Sequence, residues 1–439
     1  MNVASSSFAL LVFGFLAATV LGAAEPTPPG PWILLAETGR FPRKDTPVWV
    51  EVPGDRFGEP LRAALADGPK PVHLRELFQD GSPVPGRPPI VAQAERASDA
   101  PVGRVRLTWI LTGETPANLV RAFRLESGEP AAVTSPWTLS EETAGALELW
   151  HGKRMVFRYN IAPVSNAAYG PIQHRDAYLH PALTPSGACI TGDFSTSHPH
   201  HRGFFLAYAK TQVGPLHPDF WNIHTGSGKI HFDRLGATAV GPVTARIEGW
   251  HRWEAKDKTK GAVPVLRERW DVEAYDIPGS PYWLFDLTST QVAIGEPLVV
   301  HPYRYGGMAY RGPEPFVKGK LDVLTSAGLD RIRGDQKPAR WVDLTGPIAD
   351  GSDRYAGAMI LDHPTNPNSP TVARIHPTRL PFFCYVPGHD VMVTISAESP
   401  TVFRYRVMIH DGRPDGDLDE RLWHDFAEPP RVTIAPAGG

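Results

Sequence analysis

Apolar and polar residues alternate with a period of two along most of the chain. In "PVWVEVP", Val48 and Val50 alternate with Trp49 and Glu51, and "GRVRLTWILTG" repeats the pattern further on. Such alternation places apolar and polar side chains on opposite faces of a β-strand. Turn residues separate these runs about every ten positions, as in β-sandwiches. We therefore predict that residues 25–134 form a small immunoglobulin-like β-sandwich with one short helix at "EPLRAALADG".

Longer alternating runs follow in the second part of the chain. "GALELWHGKRMVFRYNI" predicts a hairpin in which Gly152 and Lys153 form a two-residue turn. "TARIEGWHRWEAK", "PVLRERWDVEAYD" and "YWLFDLTSTQVAI" are each long enough to cross a wide sheet. A sheet of this size has to pack on a second sheet or close on itself. The sequence therefore predicts an all-β protein whose residues 135–439 form a large two-sheet β-sandwich, similar to a supersandwich.

Proline limits helix formation throughout the sequence. The chain has 46 prolines in 439 residues, roughly twice the average frequency, and they lie between the short apolar runs. One short C-terminal helix is still predicted in "DLDERLWHDFAEPP", where Asp417 caps the first turn and Pro429 ends the helix. Leu418, Leu422 and Phe426 form its predicted apolar face.

The first residues of the chain have the pattern of a secretory signal peptide. An apolar run at 8–21 is too short to span a bilayer comfortably, and Gly22, Ala23 and Ala24 follow it. This pattern predicts a signal peptide at residues 1–24 and an exported protein, periplasmic or extracellular; the alternative is an uncleaved membrane anchor. No later stretch is apolar enough to cross a membrane, so no span is expected in the mature chain.

Charge and cysteine content narrow the choice of partners and compartments. The formal net charge is −3 and 21% of the residues are charged, without a basic block. Nucleic-acid binding depends on such a block, so no nucleic-acid partner is predicted. The two cysteines, Cys189 and Cys384, stand in strand-like segments far apart in sequence. We predict two buried free thiols rather than a disulfide, because a large core needs no covalent link.

The segment "TSHPHHRGFFLAYAK" concentrates His198, His200, His201 and Arg202 immediately before an apolar run. Pro199 favours an extended backbone, which places His198, His200 and Arg202 on one face and His201 on the other. Two histidines two residues apart on a strand can ligate one metal ion. The same pair beside an arginine is equally suited to proton transfer on a sugar with an anionic intermediate. The remaining interpretation is a hydrogen-bonded polar loop without a ligand.

Two other loops add candidates for substrate binding. "DFWNIHTGSGKIHF" contains Trp221, Asn222 and His224, and a tryptophan beside polar groups can stack on the apolar face of a sugar. The alternative for Trp221 is a position in the core. "NAAYGPIQHRDAYLHPALTPSG" contributes His174 and His180 in a loop that precedes a strand.

A further polar segment combines tyrosine with arginine. "HPYRYGGMAYRGPE" contains His301, Tyr303, Tyr305, Tyr310 and Arg311 around a pair of glycines, where a backbone can approach a ligand. A tyrosine near an arginine can act as an acid or base, because the positive charge lowers its pKa. The alternative is a tyrosine-rich strand pair at the rim of a sheet.

Histidine is concentrated in the loops of the second domain. Ten of the seventeen histidines lie in these loops, whereas the first domain contains only His73. One more loop, "LDHPTNPNSP", supplies Asp362 and His363 as candidates for substrate binding. Loops held by a rigid sheet are where binding and catalytic sites are built. The sequence lacks HExxH, GxSxG, P-loop and dinucleotide motifs, which argues against the enzyme classes that depend on them.

Seven segments of the second domain resemble, in order, the PmoA-like family, which carries the automatic label "methane oxygenase PmoA" and is otherwise a domain of unknown function. These segments are "LHPALTPSG", "HPHHRGFFLA", "DFWNI", "YGGMAYRGPE", "ILDHPTNP", "RIHPT" and "YRVMIHDG". The resemblance covers residues 145–412, and the characteristic motifs of the family fall on 198–203, 305–312 and 362–364. It implies an exported, β-rich bacterial protein in a carbohydrate setting, and it identifies no reaction.

The sequence supports three functional hypotheses. The first is a secreted carbohydrate-active enzyme that acts on a sugar or glycan by proton transfer, through hydrolysis, elimination or epimerisation. The second is a metal-dependent oxygenase or redox protein with His198, His200 and His301 as candidate ligands. The third is a non-catalytic glycan-binding protein. A carbohydrate is the expected partner; no cofactor is assigned, and a bound divalent metal is compatible with the sequence.

Under the first hypothesis, six residues transfer protons or stabilise developing charge. These predicted catalytic residues are His198, His200, Arg202, His301, Tyr303 and Arg311. The predicted substrate contacts are His174, His180, Trp221, Asn222, His224, Tyr305, Tyr310, Asp362 and His363. The division of roles within this set stays open at this point.

Overall fold

The fold is seen in a computed structural model. It describes residues 32–57, 59–96, 103–126, 133–318, 320–378 and 380–436. The predicted signal peptide at 1–24 lies outside these residues. Strands dominate the described chain and its helices are short, which confirms the prediction of an all-β protein. None of these helices is long and apolar enough to cross a membrane.

The first part of the described chain contributes six strands and one short helix, which lies where the sequence predicts it. Their bounds are β1 Trp32–Glu37, β2 Arg43–Pro53, α1 Glu59–Ala64, β3 Lys70–Leu77, β4 Ile90–Arg96, β5 Arg104–Thr115 and β6 Val120–Glu126.

The rest of the described chain contributes the remaining strands and two helices. Their bounds are β7 Trp137–Ser140, β8 Ala146–His151, β9 Arg154–Asn160, β10 Tyr178–Ala182, β11 Phe204–Tyr208, β12 Thr211–Gln212, β13 Gly228–Val240, β14 Thr244–Asp257, β15 Gly261–Tyr275, β16 Tyr282–Ala293, β17 Leu298–Val300, β18 Gly306–Arg311, α2 Glu314–Lys318, β19 Asp322–Thr325, β20 Lys337–Pro338, β21 Trp341–Pro347, β22 Tyr355–Asp362, β23 Val372–Ile375, β24 Phe382–Val386, β25 Val393–Ile395, β26 Thr401–Asp411, α3 Gly416–Ala427 and β27 Arg431–Pro436.

The first domain is a seven-stranded sheet with the order β2-β5-β4-β3-β6-β1-β27. Its last member comes from the other end of the chain, since β27 runs antiparallel to β1 with Leu34 opposite Ile434. Inner side chains such as Val50, Leu74 and Trp109 form a core of their own. The domain is therefore completed by a strand that lies far beyond the boundary expected at residue 134.

Two large sheets pack face to face in the second domain. The nine-stranded sheet has the order β20-β23-β24-β18-β11-β10-β9-β8-β7, and the eight-stranded sheet has the order β13-β14-β15-β16-β26-β22-β21-β19. A small sheet, β12-β17-β25, completes the domain. Phe157 of the nine-stranded sheet contacts Phe285 of the eight-stranded sheet, with ring centroids 5.3 Å apart, and both belong to one continuous core. This arrangement confirms the predicted β-sandwich.

The hairpin expected around Gly152 is present. Strands β8 and β9 pair antiparallel, and Gly152 and Lys153 connect them. Gly152 has a φ of +57°, a conformation that glycine adopts without a steric penalty. The local turn signal was therefore sufficient to predict this pairing.

Helix α3 packs Leu422 and Phe426 against side chains of β16, β22 and β26. Its N-cap is Asp415, whose carboxylate accepts hydrogen bonds from the backbone N–H groups of Asp417 and Leu418. The prediction of Asp417 as the cap is wrong, because this residue already stands in the first turn and is a donor to the true cap. The helix itself, with its apolar face, is where the sequence predicts it.

Both cysteines are free, as predicted. Cys384 lies in β24 and is fully buried, and burial raises the pKa of its thiol to about 12. Cys189 is exposed, so the prediction that it is buried is wrong. Its segment is a loop between β10 and β11 rather than a strand of the core.

A buried group of titratable side chains lies between helix α3 and the eight-stranded sheet. The Asp343 carboxylate on β21 is 3.1 Å from Nε2 of His410 on β26. Asp419 of α3 is fully buried, and neither of its carboxylate oxygens has a hydrogen-bond partner. Burial raises the pKa of Asp419, and the Asp343 carboxylate raises it further. Burial alone lowers the pKa of His410, but Asp343 outweighs it and raises the pKa to about 9.

We expect the folding stability to decrease as the pH rises from 6.5 to about 9. In this window folded His410 keeps a proton that the unfolded chain has lost, so each increase in pH favours unfolding. The raised pKa of Asp419 acts in the same direction. The measurement is Tm by scanning calorimetry across this range, with His410→Gln as the variant that should flatten the decline. A Tm that is constant or rises between these pH values in the unmodified protein contradicts the prediction.

Candidate functional site

Residues 198–201 form a tight turn rather than an extended segment. The N–H of His201 donates a hydrogen bond to the carbonyl oxygen of His198 at 3.0 Å. Pro199 takes the second position of the turn, where proline is favoured. The rings of His198 and His200 are 5.6 Å apart, those of His198 and His201 5.0 Å, and those of His200 and His201 4.5 Å. The expectation that His201 points away from the other two is wrong, because the turn gathers side chains that an extended chain separates.

Two more histidines border this turn. The ring of His224 lies 5.5 Å from that of His200, and His376 is close enough to His198 to have its pKa lowered by it. Of these five histidines, His224 is exposed, whereas His200 and His201 are buried. We define the histidine cluster by its five members: His198, His200, His201, His224 and His376.

Aromatic side chains hold the buried end of the cluster. His201 stacks on Phe382 of β24, with ring centroids 4.5 Å apart, and meets the edge of Trp221 at 5.6 Å. Trp221 is only 1% exposed. The structure therefore places Trp221 in the core as a support for His201, and its ring has no face open to a sugar.

Arg202 follows the turn and is fully buried. It donates a hydrogen bond from Nη1 to the Asp193 carboxylate at 2.6 Å and another from Nη2 to the carbonyl oxygen of Gln173. Its guanidinium lies 3.4 Å from the ring centroid of Phe194. These contacts fix the orientation of the guanidinium, and its Nε has no hydrogen-bond partner.

Arg311 and Arg175 are the other buried arginines of this region. Arg311, at the end of β18, donates from Nη2 to Oγ of Ser195 at 2.5 Å and lies 3.5 Å from the Glu314 carboxylate. Arg175 donates from Nη2 to the carbonyl oxygen of Leu206 at 3.3 Å. Burial lowers the pKa of each guanidinium to about 10. The same cause acts on the histidines nearby.

Three histidines of the cluster, the buried His200 and His201 and the half-buried His376, are uncharged near neutral pH. Burial, together with His198 and His224, lowers the pKa of His200 to about 3. Burial lowers the pKa of His201 well below its ordinary value and that of His376 to about 4. His200, His201 and His376 thus present neutral imidazoles, which can accept a proton or donate a hydrogen bond, next to positive charge.

A pair of tyrosines extends the site. The Tyr303 and Tyr305 hydroxyls are 3.3 Å apart, and the side-chain amide of Asn222 donates to the Tyr305 hydroxyl at 3.4 Å. The Tyr305 ring lies 5.5 Å from that of Trp221, which connects the pair to the histidine cluster. Burial raises the pKa of Tyr305, so the expectation of a lowered tyrosine pKa is wrong here. This phenol keeps its proton and can serve as a donor.

His301 adjoins the tyrosines and not the histidine cluster. Its Nε2 lies 3.1 Å from Oε1 of Gln212, and it lines a cavity of about 10 Å³ together with Tyr303 and Tyr305. A cavity of this size has room for one water molecule. Among the residues that the structure describes, no three histidine, cysteine or acidic side chains are arranged to hold one metal ion. His198, His200 and His301 are therefore not assembled as a ligand set.

Two predicted substrate contacts flank the site, His174 from a loop and His180 from a strand, so the expectation of a loop position for His180 is wrong. His174 follows a short turn at 171–173 that contacts the turn at 223–225, which carries His224. His180 lies on β10, where its Nδ1 is 2.9 Å from the hydroxyl oxygen of Thr191. Burial lowers the pKa of His180.

Three other predicted contacts do not join the site. Tyr310 is fully buried and donates its hydroxyl hydrogen to the carbonyl oxygen of Ile190 at 2.7 Å. Asp362 is buried at the end of β22 and accepts a hydrogen bond from Asn366 at 2.8 Å. His363 packs on a ring of helix α3, at a centroid distance of 4.8 Å. These residues belong to the core or to the opposite sheet, so the structure gives them no contact with the histidine cluster.

The structure adds residues to which the sequence assigned no role: Arg175, His376, Phe382 and Asp193. Arg175 and His376 stand in polar loops, where most charged side chains are solvated. In the sequence, the apolar run "PFFCYV" does not distinguish Phe382 from an ordinary core residue. Only the order of strands β10, β11, β18 and β24 in one sheet brings them together.

The fold and the site define a class: an all-β protein with a histidine- and arginine-rich site in loops of a two-sheet sandwich. The chain belongs to a family of unknown function, DUF6807, whose model matches residues 146–424. That description gives no activity, and the resemblance to the PmoA-like family stays a prediction. Among curated proteins, none matches the sequence.

Solved structures with some likeness include two proteins from Enterococcus faecalis. One is a protein in glycosyl hydrolase family 38, with 11% identity, a TM-score of 0.34, and coverage of 94% of this chain and 48% of that chain. The other is an alpha-mannosidase from strain V583, with 11% identity, a TM-score of 0.35, and coverage of 94% and 46%. The chain thus spans about half the length of these structures. Likeness at this level carries no information about activity.

Proposed function

We propose that the protein is an exported carbohydrate-active enzyme that acts on a sugar by proton transfer. The observation that carries the proposal is the set of neutral histidines beside three buried arginines. A neutral imidazole can take a proton from a sugar, and fixed guanidinium groups can stabilise the negative charge that this leaves behind. Buried, oriented donors act strongly because little solvent screens them.

His198 is the member of the cluster best placed to act as the base. It is half-buried, so one part of its ring reaches the surface, while its Nδ1 is buried near Arg311. The ring of His200 lies 5.6 Å from that of His198, and the Tyr305 hydroxyl is the candidate proton donor to a leaving group. In an elimination, the base takes the proton of a C–H group next to a carbonyl or carboxyl group, and the electron pair moves to the oxygen of that group, which an arginine holds. The pair then returns to form a C=C bond as the C–O bond to the departing group breaks. The oxygen of the departing group takes the proton of the phenol, which solvent then replaces.

Elimination or epimerisation fits the charges of the site better than hydrolysis. Glycoside hydrolysis commonly uses two carboxyl groups on either side of the bond. Asp193 is the one carboxylate with a hydrogen bond to any of the three arginines in the described chain, and it also accepts the Tyr178 hydroxyl at 2.9 Å. A carboxylate occupied in this way supports Arg202 and is poorly placed to attack a substrate.

The test is product analysis by mass spectrometry on a broad panel of oligosaccharides. We expect the unmodified protein to form product and His198→Gln to lower the rate by about 10²–10⁴-fold, the usual contribution of a general base. His200→Gln should also lower the rate. The matched control is His363→Gln, because the sequence predicts a role for His363 while the structure places it against helix α3.

Two results would contradict the proposal. One is the absence of product from every glycan that the protein binds, which favours a non-catalytic binding protein. The other is a full rate in both His198→Gln and His200→Gln, with thermal unfolding unchanged.

A further inference from the structure

Buried nitrogen atoms without hydrogen-bond partners concentrate around the histidine cluster. Twenty-two buried side-chain polar atoms of the described chain lack a partner, and seven of these are nitrogens of this one region. They are Nε and Nη1 of Arg175 and of Arg311, Nε of Arg202, and Nδ1 of His198 and His201. The five guanidinium nitrogens are donors only, whereas each imidazole nitrogen is a donor or an acceptor. A buried donor without an acceptor is destabilising, more so when it is charged. Such a concentration in one place indicates that the acceptor is a ligand.

The arginines cannot turn away to find acceptors elsewhere. Arg311 is anchored by Ser195 at 2.5 Å, and Arg202 is anchored by Asp193 at 2.6 Å. The backbone supports this arrangement, since the N–H of Arg311 donates to the carbonyl oxygen of Gly203 at 2.8 Å. The unpaired N–H groups of these two arginines are therefore fixed in direction before any ligand arrives, which is the property that a preorganised binding site needs.

The acidic side chains of the surrounding elements do not satisfy these donors. Glu314 of α2 is 51% exposed and lies 3.5 Å from Nη2 of Arg311, which leaves Nε and Nη1 unpaired. Asp176 is buried beside Arg175 in sequence, but its Oδ1 has no hydrogen-bond partner and its Oδ2 lies 3.8 Å from His231. The carboxylates of the protein therefore do not pair with all of the positively charged N–H groups at this site.

We infer that the substrate is a sugar that carries a permanent oxyanion, a carboxylate or a sulfate, and that Arg311, Arg175 and Arg202 bind this group. The inference rests on the proposed function and names its substrate class. Charge that appears only during the reaction would leave the donors unpaired in the substrate complex as well. A permanent anion pairs with them from the moment of binding.

The chemistry of the donors fits a carboxylate or sulfate group on the sugar. A guanidinium offers parallel N–H groups that match two oxygens of one planar or tetrahedral oxyanion. Nδ1 of His198 is buried and unpaired although the ring of His198 is half-buried, so this ring marks where the buried donors approach the surface. An anion bound there also favours the protonated form of the adjacent histidines, which makes each a stronger base once the substrate is present.

The test is isothermal titration calorimetry of the full chain with matched ligands at fixed ionic strength. The probes are galacturonate and glucuronate oligosaccharides, their neutral galactose and glucose counterparts of the same length and linkage, and a sulfated galactose oligosaccharide. We expect at least one anionic ligand to bind ten-fold or more tightly than its neutral counterpart. The uronate and sulfate arms distinguish the two sources of the oxyanion.

A pair of arginine variants identifies the site. Arg311→Lys keeps the charge but loses the fork of donors, so it should lower the affinity for the anionic ligand at least ten-fold and reduce the selectivity for the anionic over the neutral ligand. The control is Arg333→Lys, an exposed arginine whose partner is Asp330 at 3.0 Å, and it should bind like the unmodified protein. If Arg311→Lys does not fold, the selectivity of the unmodified protein decides alone.

The outcomes separate this inference from the proposed function. Equal affinity for anionic and neutral ligands, with turnover of neutral glycans, overturns the inference and leaves the proposed function standing. Selective binding of an anionic sugar without product supports the inference and contradicts the proposed catalysis. Selective binding that Arg311→Lys retains in full also overturns the inference, because the arginine site then plays no part in it.

Discussion

Replacing Glu268 by alanine is expected to destabilise the large domain by about 3–5 kcal/mol, the range for removing one partner of a buried charged network. Glu268 lies on β15 between the two sheets and is 1% exposed. Its carboxylate is surrounded by five groups at hydrogen-bond distance. They are the indole nitrogens of Trp253 and Trp270 at 3.0 and 2.8 Å, Oγ of Ser289 at 2.5 Å, Nε2 of Gln291 at 3.1 Å and Nδ1 of His251 at 3.0 Å.

The size of the effect follows from what alanine leaves behind. Five buried polar groups lose their acceptor at once, and a buried donor without a partner is more destabilising than the lost hydrogen bond itself. Burial raises the pKa of Glu268, but these hydrogen bonds outweigh it and lower the pKa, because they stabilise the charged carboxylate. Glu268→Gln keeps one acceptor oxygen, so we expect a smaller loss.

Chemical denaturation followed by tryptophan fluorescence measures this prediction, because two of the donors are indoles. The control is Glu398→Ala, an exposed carboxylate that accepts from Ser396 at 2.8 Å. Surface changes of this kind usually stay within about 0.5 kcal/mol. A Glu268→Ala protein that unfolds at the same denaturant concentration as Glu398→Ala is incompatible with the proposed network.

The second large effect is expected for Gly203→Ala, at the residue that follows Arg202. Gly203 has a φ of +41°, and a Cβ at this position would overlap the carbonyl oxygen of Leu179 on the neighbouring strand β10. Backbone has to move to relieve such an overlap, because neither partner is a flexible side chain. We therefore expect β10 and β11 to separate here and both Arg202 and His201 to be displaced, with most of the protein recovered unfolded or inactive.

Gly187 in the same loop region provides a matched control. It also has a positive φ, +91°, but a Cβ there meets nothing within 4 Å. Gly187→Ala therefore carries only backbone strain, about 1–3 kcal/mol, and should remain folded with the site intact. Soluble yield and Tm compare the two variants. Equal yield and Tm for both would show that the approach to Leu179 is not limiting.

Local sequence patterns predicted the strands and helices of this fold, but not which of them lie side by side. The phase of "VLRERWDVE" already places Glu268 on the face of Leu266 and Trp270, since residues two apart share a face of a strand. That a glutamate on a buried face needs donors follows from physical chemistry. Which donors they are depends on the neighbouring strands β14 and β16, and no local pattern contains that information.

The turn at Pro199 shows how the same residue supports two opposite predictions. Proline restricts the residue before it to an extended conformation, which led to the expectation of alternating histidines. Proline is also favoured at the second position of a turn, and the hydrogen bond between His201 and His198 decides for the turn. The three histidines of the turn were therefore predictable as a set of residues and not as a geometry.

The pairing of β27 with β1 makes the first domain dependent on the order of synthesis. Residues 32–126 leave the ribosome first, yet β1 stays an open edge on one side until residues 431–436 arrive. An unpaired strand edge is a template for association with other chains. A nascent chain therefore exposes this edge while the large domain is being made, and a chain truncated before β27 exposes it permanently. Strand β27 covers this open edge, so the sheet of the first domain is complete only when the chain has been made as far as Pro436.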